Sequence, residues 1–450
     1  MRHNDRRSFL KMSSVVAAGV SVTGLPSLVR AGANDRIRVA VVGLGGRGQN
    51  HIQALHELAG ENVELAALCD CDEGSLNRSA ASYEKLSGRK LALSNDLRKL
   101  LDDKSIDAVT FATPNHWHSL GVIWACQADK DAYVEKPGSH NLFEGRKMVE
   151  AARRYGRIVQ HGTQCRSSEN IREGMQKLRE GVIGTVYMAR AVIYKIRGPI
   201  GRLKTEPTPK GLNWDAWLGP APQQPYCSTR RRGWHYLWDF GNGQLGNQGV
   251  HQMDLIRWGL GLDTHPTRIQ SMGGRYTHDD DQQTPDTQIC AYEFGGRDVL
   301  VEVEVRNGYT NTEAGMGEQY PFVDHHSVVG VIFLGRDGYA LFPDYSSYYT
   351  FLGKDRKRGP SKAIQGEPMM DTEHFRNWIG AVRSRQTSQL AAEIEQGHLS
   401  SALCHLANIA QRTRRTVCFD AKTERFPGDD EANRLLSRSY RPPYVVPEKI

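Results

Sequence analysis

The chain is 450 residues long, 39% hydrophobic and 24% charged, the composition of a globular protein large enough for two domains. Its formal charge is +7, but Arg2, Arg6, Arg7, Lys11 and Arg30 against Asp5 put +4 of this in residues 1–33 and leave +3 on the rest. A balance that near neutral, without a basic-aromatic stripe, excludes a nucleic-acid binder, and beyond residue 33 no apolar run approaches the ~20 residues of a membrane span.

The N-terminal stretch "NDRRSFLKMSSVVAAGVSVTGLPSLVRAGAND" has paired arginines, then Phe-Leu-Lys, then a mildly apolar run ending in Ala31-Gly32-Ala33. It resembles a twin-arginine export signal and is expected to direct a folded protein to the periplasm, with cleavage near Ala33. The eight cysteines are scattered, none in a CxxC pair, so they predict neither a disulfide framework nor a cysteine metal site.

From residue 37 the pattern alternates. "IRVAVVG", "VELAALCD", "DAVTFATP", "DAYVEKP" and "RIVQHG" read as short buried strands, with helical stretches such as "QNHIQALHELAG" and "SLGVIWACQADK" between them. This order predicts parallel βαβ units and a doubly wound α/β domain over residues 34–160. Asn141 and Glu144 form a candidate capping box for its last helix.

After residue 160 the segments "TVYMARAVIYKI", "TRIQSMGGRYT", "TQICAYEFGG", "DVLVEVEVRNG", "SVVGVIFLGRDGYALF" and "SSYYTFLG" alternate polar and apolar residues. They predict a mostly antiparallel sheet with one solvated face, in an α+β domain over residues 161–425 that also holds two helices. Residues 426–450 read as a Pro-containing tail. The loop over 197–232 contains six prolines and is long enough to suspect of function. The basic triplet Arg230, Arg231 and Arg232 reads first as a solvated loop, second as an anion contact.

Three motifs carry chemistry. Gly43-x-Gly45-x-x-Gly48 follows a strand and opens a helix, as a dinucleotide cradle requires, with Arg47 inside it. Asp70, 22 residues past Gly48, ends the second strand. There a carboxylate accepts ribose hydroxyls and repels a 2′-phosphate, which favours NAD over NADP. "TPNHWH" places Thr113, Pro114, Asn115 and His118 after a strand end, and "EKP" places Glu135 and Lys136 after the next, both facing the same cleft. Two histidines at 116 and 118 raise the question of a metal; with no HExxH or cysteine pair, none is expected.

The stretch "LGNQGVHQMD" holds Asn247, His251 and Asp254, His251 and Asp254 being one helical turn apart. Gln164 and Arg166 follow the last Rossmann strand and are expected in the substrate cleft. Trp234 and His235 are candidates for a sugar-stacking wall, core packing being the alternative for the tryptophan.

Together, the glycine fingerprint, Asp70, "TPNHWH", "EKP" and the glycine-rich segment before His251 resemble the Gfo/Idh/MocA oxidoreductase family over nearly all of the chain past residue 33. The resemblance implies a Rossmann domain followed by a domain with a large open sheet, and NAD(P)-dependent chemistry on sugars and polyols. It assigns Lys136 to the active site and His251 the acid/base role. It implies that some members dimerise through the sheet. Many members carry aspartate where this chain has Asn247; an amide cannot act as a base, which shifts that role onto His251. Asp254 is left as either a substrate-binding or orienting carboxylate or a helix-surface carboxylate. The expected activity is an NAD-dependent sugar or polyol oxidoreductase whose held cofactor is recycled. The alternative is a glycoside hydrolase that works through a transient keto-sugar. A binding protein without catalysis is disfavoured by Lys136 and His251.

Overall fold

The computed structural model describes residues 36–310, 327–364 and 370–450; the export-signal expectation falls outside them. Ile37 to Ile450 form one compact unit. Its first sheet contains β1 (Ile37–Val42), β2 (Val63–Cys69), β3 (Ala92–Ser94), β4 (Ala108–Phe111), β5 (Asp131–Glu135) and β6 (Val159–Gly162), in the order β3-β2-β1-β4-β5-β6. Every pairing is parallel. Helices cover both faces, so β2, β4, β5 and β6 are buried at every residue, including the polar Asp131, Glu135, Gln160 and His161. The strand order reverses between β1 and β4, and the crevice at their carboxyl ends is where such sheets bind ligands.

The second sheet has nine strands: β7 (Val186–Lys195), β8 (Arg268–Gly274), β9 (Thr287–Glu293), β10 (Leu300–Arg306), β11 (Ser327–Gly335), β12 (Gly338–Phe342), β13 (Tyr348–Leu352), β14 (Lys357–Lys362) and β15 (Val417–Cys418). Their order is β14-β13-β12-β11-β7-β10-β9-β8-β15. All neighbours are antiparallel except β7 and β10, so the sheet is mixed but mostly as expected. One face packs on the helices Val250–Leu260 and Ile394–Thr413. The other leaves Tyr187, Met272, Ile289 and Leu300 exposed.

The chain returns to the Rossmann layer twice. Helix Asp371–Ser384 sends Phe375, Trp378 and Ile379 into the cluster of Val39, Leu55 and Tyr133; the Phe375 and Tyr133 rings stack at 4.4 Å. Tyr444 and Val446 of the tail join Val109 and Trp117. Helix Leu142–Arg154 starts as the capping pattern predicts, the Asn141 side chain accepting from the Glu144 N–H at 2.9 Å.

Candidate active site

The glycine loop leaves β1 at the sheet's switch point. Gly43 has φ +88°, and a Cβ there would lie 2.8 Å from the Ala112 and Thr113 backbone. At Gly48 a Cβ would lie 2.0 Å from the Gly43 carbonyl, so helix and loop touch only because it is glycine. Gly45 differs: nothing stands within 4 Å of its Cβ position, and it lines a cavity of about 720 Å³. Helix Arg47–Glu57 begins at this cavity, so its unpaired N–H groups are available to an anion. Asp70 lines the same space. Its carboxylate accepts from the N–H groups of Leu44 (2.7 Å) and Asp72 (2.9 Å), and burial pushes its pKa up.

Thr113, Pro114, Asn115 and His118 line the middle of the cavity. The Thr113 hydroxyl is buried without a partner. His118 staples two site loops, its ring nitrogens lying 2.8 Å from the Thr113 carbonyl and 2.6 Å from that of Pro137.

At the far end stand Glu135, Lys136, Asn247, Trp234 and His235. The Lys136 ammonium donates to the Asn247 carbonyl at 2.5 Å. Burial lowers its pKa to about 8; Glu135 opposes the shift, and Arg47, Lys195 and Arg197 add to it. Burial would raise the Glu135 pKa, but Arg47 and His51 hold it well below the usual range. Arg47, inside the glycine motif, also lines the cavity. It is clamped between Glu135 (2.9 Å) and Asp371 (2.6 Å). The Trp234 and His235 rings stack at 3.6 Å.

Leu245–Gly249 is a π-helical turn that runs into helix Val250–Leu260. It puts Asn247 on the cavity wall and His251 behind it. His251 is 2% exposed, its Nδ1 has no partner, and burial together with Lys136 holds its pKa well below the ordinary value. Arg166 and Asp254 do not line the cavity. They neutralise one another behind it, Nε and Nη2 meeting the two carboxylate oxygens at 2.7 and 2.8 Å, and Ser400 adds a third bond at 2.8 Å. A carboxylate 1% exposed needs such partners. Gln164 also lies off the cavity, donating to the Tyr133 hydroxyl and Glu135.

Sequence reasoning missed part of the wall. Trp217 and Tyr226 from the proline-rich segment and Tyr444 from the tail line the same cavity, as does Arg231, for which the sequence offers an anion contact only as its second reading. The segment's length and prolines flagged it, but nothing local said where it folds. His116 Nε2 faces the Trp217 carbonyl at 2.9 Å. Among the described residues, His265, His398 and Glu424 do converge as metal ligands would. The same carboxylate, however, also accepts from Arg146 at 2.6 Å.

The residues fit a dinucleotide. Gly45 opens on the cavity, a helix N-terminus and a strand-end carboxylate adjoin it, and a buried hydroxyl stands unpartnered on its wall. The family model described as "Oxidoreductase family, NAD-binding Rossmann fold" matches residues 37–163. Its companion, "Oxidoreductase family, C-terminal alpha/beta domain", matches residues 194–323 and 361–446. The chain belongs to the Gfo/Idh/MocA oxidoreductase family. Its first domain is therefore that family's NAD-binding domain. Among solved structures, this Gfo/Idh/MocA chain resembles the WlbA dehydrogenase of Bordetella pertussis in complex with NADH and UDP-GlcNAcA. That likeness has TM-score 0.63 and 19% identity, over 86% of this chain and 99% of that one. It also resembles levoglucosan dehydrogenase in complex with NADH and levoglucosan, at TM-score 0.64 and 15% identity, over 85% and 99%. At these identities the likeness concerns the fold. Among curated proteins, the glycosyl hydrolase family 109 protein 1 of Shewanella sp. (strain ANA-3) is 30% identical over 226 residues, 44% of this chain and 48% of that protein. The alpha-N-acetylgalactosaminidase of Shewanella oneidensis is 29% identical over the same shares. The chain thus spans about half the length of the curated relatives it matches.

Proposed function

We propose that this protein is an NAD-dependent enzyme acting on a carbinol carbon of a sugar, polyol or sugar derivative, and that it keeps its nucleotide between turnovers. The observation that carries this reading is the single cavity joining the glycine loop and Asp70 to Lys136. The nicotinamide, when bound, supplies the hydride acceptor. Lys136, a cation below pH about 8, donates to the substrate oxygen and stabilises alkoxide charge there. Asn247 positions the hydroxyl on the cavity wall, and His251, kept neutral by burial directly behind it, is the base we assign to the hydroxyl proton, which must pass Asn247 to reach it. Trp234 stacked on His235 offers a flat wall to a sugar ring. Asp70 favours NAD over NADP, because a 2′-phosphate would meet its carboxylate. Residues 1–33 are read as a twin-arginine signal that takes the folded, loaded protein to the periplasm.

A second reading is favoured by the names of the curated relatives, glycosyl hydrolase family 109 and alpha-N-acetylgalactosaminidase. In it, the bound cofactor would supply the hydride acceptor for oxidation of a sugar hydroxyl to a ketone, and His251 would take the hydroxyl proton. The ketone acidifies the neighbouring C–H, whose proton leaves as the aglycone is expelled. Water adds to the resulting double bond and the hydride returns. This sequence needs a second titratable group at the site, and His235 shares the cavity wall with Lys136. The deciding experiment incubates purified protein with aryl glycosides, with and without added NAD+. Aglycone release without net NADH selects the hydrolase. NADH formation, or turnover only when a second sugar is present to be reduced, selects the oxidoreductase. Inertness toward both glycosides and free sugars would remove both readings.

A further inference from the structure

The glycine loop, Asp70 and the helix N-terminus hold a nucleotide from the Rossmann side only. The structure supplies the opposite side. Residues 206–235 supply Trp214, Trp217, Leu218 and Tyr226 to a small apolar cluster completed by Leu237 and Phe240, the two indoles stacked at 4.5 Å. This unit leaves the second domain, crosses the cavity and binds the turn after β2. Leu212 pairs with Asp72 as an isolated antiparallel bridge. The Glu73 N–H donates to the Gly211 carbonyl and the Asn213 N–H to the Cys71 carbonyl, both at 2.9 Å. Arg231 closes the contact with an ion pair to Asp72 at 2.5 Å. Farther along, the Trp117 indole donates to the Ala216 carbonyl at 3.0 Å. The gripped turn is the one that carries Asp70, the expected ribose ligand. Asn213, Trp217, Tyr226 and Arg231 face the same cavity as Gly45 and Asp70.

We infer that residues 206–235 are a clasp over the adenosine half of the nucleotide site, and that the Arg231–Asp72 pair is its latch. The inference rests on the reading that NAD occupies this cavity and is retained. With the clasp shut, the nucleotide is enclosed between the Rossmann turn and the Trp217–Tyr226 wall. Opening of the bridge at Asp72 and Leu212 widens its way out. The backbone bridge contains two hydrogen bonds, whereas the ion pair is the one charged contact from this segment to the turn among the described residues. Loss of the pair should therefore speed opening more than it weakens the fold.

The test uses two single variants and their combination. Arg231→Ala removes the cation. Asp72→Asn removes the charge but keeps a good N-cap for helix Glu73–Ser87, which Asp72 caps through the N–H groups of Gly74 and Ser75. Full-length protein is loaded with NADH and chased with excess NAD+, and the loss of bound NADH fluorescence gives the release rate. The clasp predicts release about tenfold faster in each single variant, the scale of one half-buried charge-assisted bond. The double variant should be no faster than either single one. Melting temperatures of the nucleotide-free proteins should stay close together, which a purely structural role for the pair would not allow. Unchanged release from variants of a wild-type protein that retains NADH would overturn the clasp and leave the retained-cofactor reading standing. Rapid release from the wild type would overturn both.

Discussion

Gly45 and Gly48 are three residues apart in one motif and have opposite reasons for being glycine. At Gly48 an added methyl would stand 2.0 Å from the Gly43 carbonyl, so Gly48→Ala must push the helix off the strand. At Gly45 the methyl meets no protein atom within 4 Å and projects where a pyrophosphate would lie. Gly45→Ala should therefore melt like the wild type in the nucleotide-free state and bind NAD+ at least about tenfold more weakly, the steric loss of a close backbone approach. Gly48→Ala should lose stability, by about 1–3 kcal/mol if the loop can shift. Thermal melts and nucleotide titrations of the two variants separate these effects. Equal nucleotide affinity in Gly45→Ala would mean that the cavity is not the pyrophosphate site. These roles were legible in the sequence because both glycines act within a few residues of themselves. The fate of Arg47 was not legible: its partners lie 88 and 324 residues away, at Glu135 and Asp371, and no local pattern carries that information.

At the scale of elements, the helix that opens with the π turn does two jobs on two faces. Asn247 reaches the cavity, while Asp254 ties the helix to the loop after β6 through Arg166 and to helix Ile394–Thr413 through Ser400. Burial opposes ionisation of Asp254, but Arg166 and Ser400 outweigh it and hold its pKa below the ordinary value. An acid with a depressed folded pKa stabilises the protein above its unfolded pKa, near ~3.9, and loses that contribution as pH falls through the folded value. Asp254→Asn leaves Arg166 buried without its counter-charge and should cost about 3–5 kcal/mol at neutral pH in equilibrium denaturation. The gap should narrow below pH about 4. A variant as stable as the wild type but slow in turnover would return Asp254 to the substrate. The three-residue spacing of His251 and Asp254 was visible in the sequence and suggested a shared face. It could not say which face looked at the cavity, because that depends on the π turn and on Arg166. The same holds for helix Asp371–Ser384: a helix was readable there, its choice of the Rossmann layer over the second sheet was not.

For the whole molecule, the proposed export and the proposed chemistry constrain each other. No general pool of nicotinamide nucleotide lies outside the inner membrane, so an exported enzyme of this kind must cross already loaded and return its cofactor to the starting state in each cycle. Both readings of the reaction satisfy this: oxidation of one sugar with reduction of another, and oxidation followed by elimination, hydration and reduction. The architecture suits it as well, because the cavity has walls from the Rossmann sheet, the proline-rich segment and the tail, and all three must be folded before it exists. A ligand enclosed this way adds its binding energy to folding, about 4 kcal/mol when its effective concentration is a thousand times the dissociation constant. Protein purified without added nucleotide and then denatured should therefore release close to one NAD(H) per chain. Stripping the nucleotide should lower the melting temperature, and NAD+ should restore it more fully than NADP+ does. In cells, replacing Arg6 and Arg7 with lysine should leave the loaded protein in the cytoplasm. A wild-type protein that arrives empty and turns over only with excess free NAD+ would refute the retained cofactor. It would also remove the physical reason for the proposed export.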